Sequence, residues 1–150
     1  MKKNILITLL SLLFVLHIQA SGDNDSPIRI DQLPKPAQEF VQKHFPGMKV
    51  ALAKVEKELF TKSYQVIFTN GNKVEFNGSG KWIEVKCKYD EVPTSVLPNP
   101  IARYVAQHYP KVKVWKIEAD EEKKLYEVKL SNRIELEFDM KGNLIHIDHD

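Results

Sequence analysis

Two kinds of hydrophobic spacing alternate along this chain, and each occurs twice. Leu33, Ala37, Phe40, Val41 and Phe45 recur at the three- and four-residue intervals of one helix face. Leu97, Ile101, Tyr104, Val105 and Tyr109 repeat the interval. Prolines fall in the first turn of each stretch, where a missing N–H costs no intrahelical bond. Pro46-Gly47 ends the first stretch and Pro110 the second. A helix is therefore predicted from Pro34 to Phe45, and another over the matching residues before Pro110.

Beyond each helix the pattern shortens to a period of two, the mark of strands with one buried face. Tyr64, Val66 and Phe68 point one way, Gln65, Ile67 and Thr69 the other. Val74 and Phe76 oppose Lys73 and Glu75. Ile83, Val85, Cys87 and Tyr89 take the inward phase against Trp82, Glu84, Lys86 and Lys88. In the second half the inward set is Tyr126, Val128, Leu130, Leu136, Phe138, Ile145 and Ile147. Trp115 takes the inward phase there, as Ala51 does earlier. Asn70-Gly71-Asn72, Gly78-Ser79-Gly80 and Lys141-Gly142-Asn143 have hairpin-turn composition. Strands are predicted over 48–58, 61–70, 72–78 and 81–89, then 112–120, 124–131, 133–139 and 143–149.

The two halves align residue by residue. Leu33-Pro34-Lys35-Pro36 lies over Leu97-Pro98-Asn99-Pro100, and His44-Phe45-Pro46 over His108-Tyr109-Pro110, at a shift of 64. After a two-residue deletion the shift is 62, with Tyr64 on Tyr126, Asn70 on Asn132, Glu75-Phe76 on Glu137-Phe138 and Gly80 on Gly142. This is a tandem duplication, and two copies form a pair rather than a solenoid. The expected fold is α+β: two tandem helix-plus-four-strand antiparallel units forming one continuous sheet, with both helices on one face and the other face open to water.

Residues 1–20 read as a signal peptide: Lys2 and Lys3, an apolar run from Ile5 to Leu16, and a cut after Ala20 within two residues. No cysteine stands directly after that run, so no lipoprotein attachment is expected. The expected layout is a linker over 21–32, unit 1 over 33–89, a linker over 90–96 and unit 2 over 97–150. Periplasmic or secreted localisation follows, without membrane insertion after cleavage. Lys2 and Lys3 account for the formal net charge of +2, leaving 20 basic against 20 acidic residues. A neutral chain offers no electrostatic case for nucleic acid as the partner.

A helix ending in His-aromatic-Pro, a Lys-Val strand, a Tyr-x-Val strand and a Phe-x-x-x-Gly hairpin, all occurring twice, resemble the PepSY-like family of exported bacterial proteins. The resemblance covers residues 27 to 150, and the family is grouped with β-lactamase-inhibitor-like folds. It implies a regulator or inhibitor of envelope peptidases, and it carries over no catalytic residue. The β-lactamase inhibitor is associated with an aromatic-rich concave sheet, whereas the open face here is mostly Lys and Glu.

The chemistry-bearing residues are few. His44 and His108 are repeat equivalents beside helix-stopping prolines, read as helix-end residues capping the last carbonyls, with a metal or proton pair as the alternative. His146 and Asp148 share a strand face and His149 points away, but no third ligand is evident upstream, so neither metal nor cofactor is assigned. Cys87, the single cysteine, falls on the inward phase as inert packing. No nucleophile elbow, zinc-protease motif or phosphate loop is present, and the chain is read as a non-enzyme. The expected role is binding or inhibiting an envelope protein through the open face. The candidate contact residues are Trp82, Leu52, Ile67, Lys73, Glu75, Glu84 and Lys86. The alternative is a ligand-binding or structural envelope module recognising peptide, glycan or metal.

Overall fold

The computed structural model describes residues 24–149, and the expected signal peptide lies outside them. The chain runs β1 (Asp25–Ile28), α1 (Lys35–His44), β2 (Val50–Lys57), β3 (Lys62–Phe68), β4 (Lys73–Asn77), β5 (Trp82–Lys86), α2 (Asn99–His108), β6 (Val114–Asp120), β7 (Leu125–Leu130), β8 (Ile134–Asp139) and β9 (Leu144–His149). All nine strands form one antiparallel sheet in sequence order. Strand β5 joins β6 through Glu84–Glu118, Val85–Ile117 and Lys86–Lys116, so the two halves share one sheet.

The helices begin and end as their prolines dictate. Pro34 and Pro98 are the N-caps, and a second proline sits in each first turn. The N–H of Phe45 donates to Val41 O, and that of Tyr109 to Val105 O, closing the last turns. Ala37 and Val41 of α1, with Ile101 and Val105 of α2, are buried against one face of the sheet. That face is a continuous row of paired residues: Val66, Val74, Val85, Ile117, Val128 and Leu136, each fully buried. Both helices therefore cover the same side.

β1 lies in the segment expected to be linker. It is short and contains Pro27, so it carries no readable alternation; as an edge strand it pairs only with β2, where a proline is tolerated. The Lys54 ammonium pairs with the Asp25 carboxylate and fastens β1 there.

Four β-bulges interrupt the ladder, at Val50/Leu52, Glu75/Phe76, Val114/Lys116 and Glu137/Phe138. Each in the second half falls at the repeat equivalent of one in the first. A bulge adds one residue to one strand and shifts the alternation beyond it. This overturns four expected orientations. Trp82 pairs with Phe76 and so faces the helices; Ile83 is the extra residue. Likewise Leu144 pairs with Phe138, and Ile145 is 58% exposed rather than inward. Trp115 is the extra residue of its bulge and leaves the core phase. Tyr89 lies past the end of β5 and is 79% exposed. Phe40 and Tyr104, on the helices, are half-buried lids on the core rather than its centre.

Candidate functional site

The uncovered face is ordered in rows by the strand register. One row reads Leu52, Ile67, Lys73, Lys86, Lys116, Lys129, Glu135 and Asp148, each directly opposite the next. The adjoining row reads Lys54, Gln65, Glu75, Glu84, Glu118, Glu127, Glu137 and His146. Four lysines thus run side by side across the sheet, next to five glutamates.

Like charges directly opposite one another are destabilising. Contacts between the rows offset this. Lys73 reaches Glu75 at 2.7 Å and Glu84 at 3.2 Å; Lys116 reaches Glu84 at 2.9 Å and Glu118 at 2.7 Å. Within the first row, Lys129 pairs with Glu135 opposite it. Burial raises the Glu84 carboxyl, but Lys116 and Lys73 outweigh it and hold it below its ordinary value. Burial lowers the Lys116 and Lys73 ammonium groups, and their glutamates outweigh that and raise both.

Glu84 is the centre of this ladder, touching lysines from both halves of the chain. Because its folded value is depressed, its stabilisation is fully present above the ordinary value of 4.5 and is lost as pH falls through the folded value. The Glu84→Gln variant is expected to lose about 1.5–3 kcal/mol at neutral pH, the range for a hydrogen bond to a charged group. Partial solvent screening keeps it below the cost of breaking a fully buried pair. The gap between variant and parent should narrow progressively as pH falls below the ordinary value of 4.5; urea midpoints across an acid series check this, and a gap unchanged by acid contradicts the ladder.

Six of the seven expected contact residues share this face: Leu52, Ile67, Lys73, Glu75, Glu84 and Lys86. Trp82 does not. Its ring packs on the helix side, 6.1 Å from Phe40 and stacked 6.3 Å from Tyr126. Trp115 is the tryptophan of the open side instead. Its Nε1–H donates to Leu130 O at 2.9 Å, and the Lys86 ammonium lies 5.6 Å from its ring centre.

The other candidate groups separate. His108 Nδ1 lies 3.0 Å from Tyr104 O, a helix-end contact, while His44 Nδ1 lies 2.8 Å from Ser95 Oγ. Cys87 is buried, and burial pushes its thiol up to about 12. His146 and Asp148 face Glu137 and Glu135 across β8–β9, acidic neighbours that sequence distance hid. The Glu127, Glu135 and Glu137 carboxylates lie within 4.8 Å of one another, all half-buried. Lys123 and Lys129 reach Glu127 and Glu135.

Comparison with known proteins places this geometry. Residues 62–146 match the family described as beta-lactamase-inhibitor-like, PepSY-like. No curated protein matches the chain. A crystal structure from Bacteroides thetaiotaomicron, described as a candidate calcium-regulated periplasmic protein, is 56% identical with a TM-score of 0.81, covering 85% of this chain and 98% of that one. One from Bacteroides vulgatus, a candidate periplasmic protein of the DUF2874 family, is 55% identical with a TM-score of 0.79, covering 85% and 99%. Another from Bacteroides vulgatus, of unknown function, is 39% identical with a TM-score of 0.75, covering 83% and 98%. No helix among the described residues is long and apolar enough to cross a membrane.

Proposed function

The chain belongs to the PepSY-like family, and on that premise we propose that it is a non-enzymatic periplasmic binding module whose open sheet face contacts another envelope protein. The observation that carries this reading is the pair of charge rows on a face that no element among the described residues covers. Rows of opposite sign suit a partner that presents the reverse pattern, and charge pattern selects partners more than it adds affinity. The family's inhibitor-like description supports the same role, and the periplasmic descriptions of the neighbours support the compartment. The buried Cys87 thiol, shifted far from nucleophile range, supports a non-catalytic role.

A second reading, a cation-responsive module, rests on the Glu127, Glu135 and Glu137 group, because calcium takes carboxylate oxygens. The calcium-regulated description of a 56% identical relative favours it.

One experiment separates the two. A photo-cross-linking residue at Gln65, in the glutamate row, is compared with one at Gln42, exposed on α1. A discrete protein adduct in cells from Gln65 alone is the expected result. Adducts from Gln42 alone, or from neither, overturn the open-face reading. The cation reading takes its place if no adduct forms and calcium stabilises the protein but not its Glu137→Gln variant. At about 100 times its dissociation constant, calcium would add roughly 2.7 kcal/mol.

A further inference from the structure

At one end of the open face, a cleft of about 560 Å³ opens between the end of β5, the start of β6 and the β7–β8 turn. Its size is ordinary for a small-ligand site, of the order of 300–1,000 Å³. Trp115, Leu130, Ile134 and Tyr89 supply its apolar lining, and Lys88, Lys113 and Arg133 stand around it. The Trp115 indole is held in place by its bond to Leu130 O and by Lys86 above the ring. Lys129 and Glu135, also in the lining, neutralise each other. Lys88 lies 5.6 Å over the Tyr89 ring. Asp90 is then the remaining acid of the lining against three cations, so the cleft has a positive rim over an aromatic wall.

Arg133 adds an independent observation. Its φ is +71°, a left-handed conformation that costs a side-chain-bearing residue of the order of 1–3 kcal/mol. The repeat equivalent is Gly71, at φ +87°, where no such cost arises. One turn of the pair uses glycine for the left-handed position; the other holds an arginine there under strain, at the mouth of the cleft. Trp115, too, replaces a small residue, Ala51 of the first half. Both departures from the duplicate meet at this one place.

We propose that this cleft binds a carboxylate carried next to an apolar or aromatic group, with Arg133 and Lys113 receiving the carboxylate and Trp115 packing on its neighbour. A guanidinium meets a carboxylate in a bidentate fork, and an indole offers a large flat apolar surface. A peptide C-terminus and an internal acidic residue beside a large side chain both carry this chemistry. The site adjoins the end of the lysine row, sharing Lys129 and Glu135 with it, but does not depend on what the rows contact.

The test is an NMR titration of the 15N-labelled protein with N-acetylphenylalanine and with its amide, following the Trp115 indole N–H. The acid should shift that resonance and bind roughly tenfold or more tightly than the amide, since the amide lacks the charge. Arg133→Gly, which installs the residue the first half uses, should weaken the acid roughly tenfold without lowering the melting temperature. Peptides carrying Asp-Phe, one with a free terminus at Phe and one with both ends blocked, identify the source by which of them binds. Equal binding of acid and amide, an unchanged affinity in Arg133→Gly, or no Trp115 shift at millimolar acid overturns the proposal.

Discussion

Truncating Phe76 or Phe138 to alanine is expected to destabilise the protein by about 3–5 kcal/mol in each case. The two side chains are repeat equivalents, both fully buried. Phe76 is flanked by Tyr64 and Trp82 on neighbouring strands, and Phe138 by Tyr126 and Leu144. Each meets a helix ring edge-on, Phe40 at 5.6 Å and Tyr104 at 5.4 Å. Strands hydrogen-bonded on both sides cannot close in on the void, so the loss combines transfer free energy with an unfilled cavity. Against a domain stability of about 5–15 kcal/mol, either variant approaches the threshold of folding. Denaturant midpoints measure the loss, and a value below about 1 kcal/mol would show that these rings do not carry the core.

Gly80→Ala and Gly142→Ala are expected to cost about 2–4 kcal/mol each, although neither removes a contact. Both glycines have positive φ, +85° and +83°, at the tips of the β4–β5 and β8–β9 hairpins. A Cβ on Gly80 would stand 2.6 Å from the Cβ of Pro34, and one on Gly142 the same distance from that of Pro100. Pro34 caps α1 and Pro100 stands in the first turn of α2, so the clash falls on a proline ring fixed to the helix start rather than on a movable side-chain end. The helix N-termini rest on the hairpin tips, and glycine is what lets them touch. Melting curves of the two variants check this; losses within 0.5 kcal/mol, about those of a neutral surface change, would mean that the tips are free to move away.

The turns themselves were readable because their chemistry is local. Asn77 Oδ1 accepts from the N–H of Ser79 and of Lys81, and Asp139 Oδ1 from Lys141 and Asn143, within four residues in each case. Six of the seven residues expected on the open face are there for a similar reason: alternation within β2, β3 and β4, and within β5 past its bulge, needs no knowledge of other strands. Trp82 follows the one hairpin of the first half whose bulge lies between it and Glu84, and its expected face was therefore inverted. Trp115 is misplaced by a different bulge, at the start of β6, the counterpart of the one in β2. Any signal for these shifts lay in the repeat itself, where both halves put a large apolar residue at the same awkward phase, Trp82 with Leu144 and Ile83 with Ile145.

What the sequence by itself determined is everything set by neighbours a few residues apart: the two helices between their prolines, the hairpins, the eight strands of the repeat, and the buried face of each bulged strand past its bulge. These depend on side-chain period and turn geometry, which act within one segment. The tertiary structure decided what lies opposite what. Alternation places Lys73, Lys86, Lys116 and Lys129 on the open face, but only the hydrogen-bond register lines them up beside a row of glutamates. The same register brings His146 and Asp148 against Glu137 and Glu135, and the bulge at Val114 turns Trp115 out to wall a cleft with Arg133. A strand's period says which side a residue faces; its partner across the ladder is chosen by pairing between segments far apart in the chain, an energy no single segment contains.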